Sequence, residues 1–134
     1  MKYLLDTNIC IYLIKSKPVQ VLEKFLSQEI GEIGISAVTV AEMQYGVQKS
    51  QFPQQNQAAL DKFLMPLSML DFDLAAAEQY GKIHVTLEQK GIPIGAYDLM
   101  IAAQAVSQDV ILVTNNVREF ARIPGLRLEN WAEG

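Results

Sequence analysis

The stretch MKYLLDTN, residues 1–8, decides the fold, because an apolar run ends there on three polar residues before a second apolar run, ICIYLI, begins at residue 9. Residues 2–5 have the length of a short buried strand, and residues 9–15 have the length and apolar content of a helix. Any of the polar residues between them can cap that helix. The stretch is therefore either a simple turn or a strand that carries Asp6 into a pocket at its end.

Beyond this stretch, short apolar segments alternate with helical segments along the whole chain. The pattern predicts further strands at residues 33–36, 68–72, 110–114 and 127–131. It predicts helices at residues 19–26, 37–48, 58–64, 74–90 and 98–107, with residues 49–57 as a polar loop or the frayed start of a helix. This alternation indicates parallel strands joined by right-handed crossovers, with helices on both faces of a central sheet. We expect one α/β domain over residues 1–134.

The composition narrows the classes of function. The chain has 134 residues, half of them hydrophobic, which is enough for a core without disulfides or a structural metal. Its net charge of −4 lacks the basic excess typical of proteins that hold nucleic acid by its phosphates, although carboxylates gathered around a metal ion also give an acidic total. The single cysteine, Cys10, is predicted to be a buried thiol in a reducing, cytoplasmic setting. No apolar run approaches the roughly 20 residues of a membrane span, so we expect no membrane anchor and no signal peptide.

Polar side chains follow two of the predicted strands directly. Asp6 comes after the first strand, and Asn115 and Asn116 come after the strand at residues 110–114. In parallel α/β sheets, ligands bind beyond the carboxyl ends of the strands. The topology therefore predicts that Asp6 and the two asparagines lie at one edge of the sheet, which favours a pocket over a simple turn.

Two further carboxylates are candidates for the same edge. Glu42 lies inside a predicted helix with Val38 and Tyr45 on its face, so it either borders a cleft or extends from the helix to water. Asp98 follows the loop GIPIGAY at the start of a helix, where the alternative to a functional role is an N-terminal cap.

Three gathered carboxylates repel one another, which raises their pKa values and costs stability unless a cation is bound. Hard oxygen ligands without a neighbouring histidine or cysteine favour Mg²⁺ or Mn²⁺ over Zn²⁺, and such sites usually act on phosphates. The only histidine, His84, lies among apolar neighbours in the helix at residues 74–90 and is predicted to be structural. The carboxylates alone suggest a metal site and leave its chemistry open.

Four sequence blocks, in this order and spanning nearly the whole chain, resemble a known family. They are LLDTNICIYLIK, ISAVTVAEMQYGVQKS, PIGAYDLMIAAQA and LVTNNVREFARIPGLRLENW. The blocks are similar to those of PIN-domain ribonucleases, and within them to the VapC toxins of bacterial toxin–antitoxin pairs. The resemblance implies a three-layer α/β/α PIN-like domain with a central, mainly parallel sheet. It also implies a Mg²⁺-dependent endoribonuclease, with Mn²⁺ as a substitute, that cleaves RNA by a metal-activated water.

The resemblance also implies roles for individual residues. Asp6 and Asp98 would be direct metal ligands, and Glu42 would complete the metal shell or orient the attacking water. Many family members carry a fourth acid just after the fourth strand, where this chain has Asn116. The candidates for a fourth ligand are therefore the amide of Asn116 and the carboxylate of Glu119.

The same resemblance gives a supporting shell and candidate RNA contacts. Small polar residues at four family positions would hold the ligands by hydrogen bonds, and these are Thr7, Asn8, Ser36 and Thr114. Basic residues are candidates for holding RNA, foremost Arg118 and Lys49, then Lys15, Lys17 and Arg122. The alternative for each of them is a solvated surface charge.

The family also implies partners. They are a VapB-like antitoxin that occludes the site, a second copy of the toxin in a homodimer, and operator DNA reached only through the antitoxin. The RNA target stays open between a structured RNA such as a tRNA loop, an mRNA and a ribosomal RNA.

Two alternatives of other kinds remain. A phosphatase of the haloacid dehalogenase type also opens with an aspartate after an apolar strand, but it needs a second acid where this chain has Asn8. A catalytically weak PIN-like module that only binds RNA or protein is the other alternative, and the presence of Asp6, Glu42 and Asp98 argues against it.

Overall fold

The structure, a computed structural model, describes residues 1–133, and Gly134, the last residue of the predicted domain, lies outside the described residues. Strands within this range are β1 (Tyr3–Leu5), β2 (Ile33–Ser36), β3 (Ser68–Leu70), β4 (Ile111–Val113) and β5 (Leu128–Glu129). They form one sheet in the order β3-β2-β1-β4-β5, and every neighbouring pair is parallel. The predicted α/β class is confirmed, and the sheet is parallel throughout rather than mainly parallel.

Helices connect the strands. Within residues 1–133 they are α1 (Thr7–Lys15), α2 (Val19–Leu26), α3 (Ala37–Gln48), α4 (Pro53–Leu64), α5 (Leu74–Gln89), α6 (Ala96–Gln108) and α7 (Val117–Phe120). Asp73 caps α5 by accepting a hydrogen bond from the Ala76 amide at 2.9 Å, and Gly91 follows that helix with a φ of 69°. Glycine adopts this left-handed conformation without the steric cost that a side chain would bring, so the helix ends there.

The core has two apolar layers, one on each face of the sheet. Along β1, Tyr3 and Leu5 point into the layer shared with α1, α2, α3 and α4, whereas Leu4 points into the layer shared with α5 and α6. Side chains alternate between the two faces of a strand, so a continuous apolar run suits a strand that is buried on both sides. The chain therefore forms three layers, α/β/α, with β1 in the centre of the sheet.

Several helix boundaries differ from the sequence prediction. Helix α4 begins at Pro53 rather than at residue 58, because proline is well accommodated at the first helical position and the polar residues after it face solvent. Helix α6 begins at Ala96 after an extended Gly95, so Asp98 lies in its first turn, and the alternative that Asp98 is the helix cap is wrong. The segment Val117–Phe120, for which the sequence pattern predicted no helix, forms the short helix α7.

The cysteine and the histidine have the environments of structural residues. Cys10 is fully buried, and burial raises the pKa of its thiol well above the ordinary value of 9.0, which suits a neutral core residue. His84 lies 3.6 Å from the carboxylate of Glu88 and packs edge-on against Tyr80 on the partly exposed side of α5. Among residues 1–133, no helix has both the length and the apolar character needed to cross a membrane.

The central position of β1 gives a stability prediction. Leu4→Ala should lower the free energy of unfolding by about 2–5 kcal/mol, because Leu4 is fully buried and the cavity left behind cannot close completely. Leu74→Ala is the matched control, since Leu74 is 77% exposed and its truncation should change stability by less than about 0.5 kcal/mol. Urea unfolding of both variants measures this, and equal losses would show that the central strand is not the centre of the core.

Candidate active site

Asp6 stands at the carboxyl end of β1 and also begins α1. One of its carboxylate oxygens accepts a hydrogen bond from the Ile9 amide at 2.9 Å, which caps the helix. The other oxygen accepts a hydrogen bond from the hydroxyl of Thr114, the residue that follows β4. Burial raises the pKa of Asp6 above 3.8, these hydrogen bonds oppose the rise, and the nearby charge of Glu42 adds to it. Asp6 is thus a rigidly held, buried carboxylate at the edge of the sheet.

Glu42 lies on α3 and reaches the same edge. Its Oε1 accepts a hydrogen bond from the hydroxyl of Thr7 at 2.9 Å, so the first helical residue after Asp6 orients the second acid. The hydroxyl of Thr39, which is fully buried, lies 3.4 Å from the Thr7 hydroxyl. The sequence prediction missed Thr39, and its position one helical turn before Glu42 was the available signal.

Asp98 and Glu119 form the other half of the site. Their carboxyl groups are within hydrogen-bonding distance of each other, although they come from α6 and α7. Burial, followed by the charge and hydrogen bond of Glu119 and then the charges of Asp6 and Glu42, raises the pKa of Asp98 to about 7. Four carboxylates from four different elements therefore act on one another at the carboxyl edge of the sheet.

Asn116 supports Glu119. Its side-chain amide donates a hydrogen bond to Glu119 Oε2 at 2.7 Å, and its backbone amide donates to the hydroxyl of Thr114 at 2.9 Å. The Thr114 hydroxyl thus joins Asn116 to Asp6. The two candidates for a fourth ligand, Asn116 and Glu119, are thus hydrogen-bonded to each other. The carboxylate of Glu119 lies next to Asp98.

The other predicted supporting residues lie in different environments. Ser36 is buried, caps α3 by accepting a hydrogen bond from the Val38 amide, and donates its own hydrogen bond to Gln104. Asn8 is exposed, and its backbone amide contributes a hydrogen bond to Asp6. Asn115, which precedes Asn116, donates a hydrogen bond to the hydroxyl of Tyr12 at 2.6 Å, a contact that the sequence did not predict.

The predicted RNA contacts lie on the surface of the protein. Arg118 is exposed on α7, next to Glu119. Lys49, also exposed, has its Nζ atom 4.8 Å from the centre of the Tyr45 ring, which lies one turn beyond Glu42. By contrast, Arg122 donates a hydrogen bond to the carbonyl of Pro93 at 3.2 Å.

A groove opens beside Glu42. Its volume is about 330 Å³, and it lies between α1, α3 and α4. Its lining is mostly apolar and includes Ile11 and Ile14, each 37% exposed, with Lys15 at its margin. Of the four acids, Glu42 thus lines a mostly apolar groove at the protein surface.

Comparison with known proteins identifies the chain. Residues 3–126 match the PIN domain family. A Shigella flexneri protein named tRNA(fMet)-specific endonuclease VapC is 47% identical over 132 residues, covering 98% of this chain and 99% of the relative. DNA-bound VapBC from Salmonella typhimurium superposes with a TM-score of 0.93 at 45% identity, covering 98% of each chain. VapBC2 from Rickettsia felis, bound to a fragment of promoter DNA, superposes with a TM-score of 0.88 at 46% identity, covering 98% of this chain and 99% of that one.

The chain belongs to the PIN-domain family, among its VapC ribonuclease toxins. The predictions of a PIN-like fold and of an endoribonuclease toxin from a toxin–antitoxin system are confirmed. These relatives do not favour the alternative of a catalytically weak binding module.

The donor set of this VapC-family site suits a hard divalent cation, and PIN-domain nucleases generally depend on a divalent metal. All four of the neighbouring acids offer carboxylate oxygens, whereas His84 lies on α5 and Cys10 is a fully buried thiol in the core. Within residues 1–133, no three acidic, histidine or cysteine side chains already stand close enough together to hold one ion. Asp98 and Glu119 form a pair that is close enough to share a proton.

The raised pKa of Asp98 predicts a pH dependence of the metal-free protein. Between the unfolded value of 3.8 and the folded value of about 7, the folded state keeps a proton that the unfolded chain releases. The resulting stability is complete below 3.8 and is lost as the pH rises through 7. In EDTA, the free energy of unfolding should therefore fall as the pH rises from 3.8 to about 7, and Asp98→Asn should flatten that fall.

Urea unfolding at several pH values measures this dependence, and Asp73→Asn serves as the control because Asp73 caps α5 away from the acid cluster. Parallel pH profiles for the wild type and Asp98→Asn would show that Asp98 does not hold the proton.

Proposed function

We propose that this chain is a Mg²⁺-dependent endoribonuclease toxin whose active site consists of Asp6, Glu42, Asp98 and Glu119. The contact between Asp98 and Glu119, with Asp6 and Glu42 close enough to raise the same pKa, is the observation that carries the proposal. Acids from four separate elements converge at the carboxyl ends of parallel strands, where α/β folds bind their ligands. Gathering them there costs stability, which is typical of functional sites.

We assign different roles to Asp6 and Glu42 because their carboxylates are held by different hydrogen bonds. Asp6 offers a carboxylate whose two oxygens are held in place by the hydrogen bonds from the Ile9 amide and the Thr114 hydroxyl. Glu42 is held by Thr7 at one oxygen and keeps the other free to accept a proton from the attacking water. When bound, Mg²⁺ would offset the charge of the acids and of the scissile phosphate and would lower the pKa of that water. Mn²⁺ prefers similar oxygen ligands and is expected to substitute.

Glu119 takes the place of the fourth acid in this proposal. Its carboxyl group touches Asp98, whereas the Asn116 side chain is engaged in donating a hydrogen bond to Glu119. Asn116 thus acts through Glu119, and its amide oxygen is a less basic ligand than a carboxylate.

Initiator tRNA is the proposed substrate, because the Shigella flexneri relative named for tRNA(fMet) is 47% identical over nearly the whole chain. Arg118 and Lys49 are the proposed contacts to the RNA backbone. Both are exposed; Arg118 lies on the helix that carries Glu119, and Lys49 directly follows the helix that carries Glu42. In a chain with a net charge of −4, such basic contacts would offset the repulsion between the protein and the RNA phosphates. We expect a reducing, cytoplasmic setting, where an RNA substrate is present and the free thiol of Cys10 would stay reduced.

A VapB-like antitoxin is the proposed partner, and operator DNA is reached through it, as the DNA-bound VapBC neighbours suggest. The apolar groove lined by Ile11 and Ile14 beside Glu42 offers an antitoxin a place to bind and block the site. We also propose a homodimer of the toxin, as the family resemblance implies.

Asp6→Asn should slow RNA cleavage on the order of 100-fold or more, because an electrostatic contribution to the transition state is removed. The fold should persist, since asparagine also caps helices. Asp73→Asn is a matched control, because Asp73 makes the same 2.9 Å cap contact at α5 but is not part of the acid cluster. The measurement incubates antitoxin-free protein with total cellular RNA, in Mg²⁺ or in EDTA, and maps the new 5′ ends.

Cuts in initiator tRNA that require both Mg²⁺ and Asp6 would establish the nuclease and its substrate. Wild-type rates for Asp6→Asn would reject the site assignment, and cuts confined to an mRNA or a ribosomal RNA would reject the tRNA proposal alone.

Glu119→Gln and Asn116→Ala distinguish the two candidates for the fourth ligand. Glu119→Gln should raise the Mg²⁺ concentration needed for half-maximal cleavage by about 10-fold or more, and Asn116→Ala should raise it less, because it only loosens Glu119. Glu88→Gln, on the exposed side of α5, is the control. If neither variant changes the Mg²⁺ dependence of the rate, neither residue is a ligand.

A further inference from the structure

Gln104 is a polar residue in the middle of the core. It lies on α6, its side chain is 1% exposed, and both ends of its amide are hydrogen-bonded. Its Oε1 accepts a hydrogen bond from the hydroxyl of Ser36, and its Nε2 donates one to the carbonyl of Leu70 at 3.1 Å. Burying an amide is favourable only when such partners are available.

The two partners of Gln104 lie at the carboxyl ends of neighbouring strands. Ser36 ends β2, and Leu70 ends β3. Ser36 is also the residue that caps α3, through the hydrogen bond that it accepts from the Val38 amide at 2.9 Å. One glutamine therefore ties α6 to two strands and to the first turn of a second helix.

These tied elements carry two of the proposed catalytic acids. Helix α6 holds Asp98 six residues before Gln104, about 9 Å along the helix axis. Helix α3 holds Glu42 six residues after its cap, Ser36. Apolar contacts alone allow a helix to slide or rotate slightly on a sheet, whereas hydrogen bonds with fixed donors and acceptors set one position.

A glutamine that merely fills the core would satisfy its amide without affecting the acids. Gln104 differs from such a glutamine in its partners. The Ser36 hydroxyl and the Leu70 carbonyl both lie at the edge of the sheet where the acids are. Ser107, by contrast, donates its hydrogen bond at 2.9 Å to the backbone carbonyl of Gln104 within the same helix and ties α6 to nothing else.

We propose that Gln104 is a positioning residue, which sets the separation between the Asp98-bearing and Glu42-bearing helices through its hydrogen bonds to Ser36 and Leu70. The inference rests on the proposed function, because it concerns how the proposed cation site is held together. Gln104 itself touches neither the substrate nor the ion.

Gln104→Met tests the proposal, because methionine keeps the length of the side chain and removes both hydrogen bonds. Mn²⁺ is the probe, and its dissociation constant is measured from the electron paramagnetic resonance signal of the free ion. The dissociation constant should rise about 10-fold, the effect typical of removing a residue that orients metal ligands. The rate of RNA cleavage at saturating Mn²⁺ should also fall, while the KM for RNA should change little.

Two controls separate positioning from general loss of stability. Val110→Ala removes buried volume just before β4, at the end of the sheet opposite to the acids, and should leave the Mn²⁺ dissociation constant unchanged. Ser107→Ala removes a hydrogen bond on α6 that does not reach the sheet and should also bind Mn²⁺ with wild-type affinity.

Ser36→Ala supplies a second test that keeps the bond between Gln104 and Leu70. It should weaken Mn²⁺ binding, and the double variant with Gln104→Met should lose less affinity than the sum of the two single losses, because both remove one shared contact. If Gln104→Met does not fold, Ser36→Ala alone decides.

Wild-type Mn²⁺ affinity in folded Gln104→Met, or in Ser36→Ala if only that variant folds, would overturn the positioning role. The proposed function would survive that result, provided that the wild-type protein binds Mn²⁺ and cleaves RNA. Absence of Mn²⁺ binding in the wild type would instead contradict the proposed function itself.

Discussion

Repulsion between carboxylates is the constraint on which this structure depends. A parallel sheet brings the carboxyl ends of all its strands to one edge, and here that edge collects Asp6, Glu42, Asp98 and Glu119 from four elements. Each acid is partly or fully buried. Burial and the repulsion from the other three carboxylates raise the pKa of Asp98 to about 7. A cation is the counter-charge that such an arrangement requires, and divalent-metal dependence is general among PIN-domain nucleases.

Neutral hydrogen-bonding groups keep the acids in place against this repulsion. Thr114 holds Asp6, Thr7 holds Glu42, and Asn116 holds Glu119. Each of these groups is near its acid in sequence or follows a neighbouring strand, so the strand ends that deliver the acids also deliver their supports. Gln104 extends the same arrangement into the core, where its two hydrogen bonds connect the elements beneath the site.

Much of this architecture could be predicted from the sequence. The apolar runs before Asp6 and before Asn115 predicted strands, and parallel topology then placed the residues that follow them at one edge. The α/β class followed from the alternation of short apolar and helical segments. The family followed from four short sequence blocks. Glu42 was predicted as a candidate because its neighbours on one helix face are apolar, and Asp98 because it begins a helix after the loop GIPIGAY.

What the sequence did not determine depends on contacts between distant residues. Helix α6 was predicted to begin at Asp98, with a cap as the alternative to a functional role for that residue, but the helix begins two residues earlier, at Ala96 after an extended Gly95. The contact of Glu119 with Asp98 requires α7, a four-residue helix too short to give a periodic pattern. The bonds of Gln104 to Ser36 and Leu70 span 68 and 34 residues, a separation over which periodicity carries no information.

Anomalous diffraction from crystals of the wild-type protein grown with Mn²⁺ tests the central claim most directly, because it locates the ion without reference to activity. The account predicts a peak bounded by the carboxylates of Asp6, Asp98 and Glu119, with Glu42 beside it. A peak bound elsewhere on the protein, or none at a Mn²⁺ concentration that supports RNA cleavage, would contradict the claim that the four acids form one cation site.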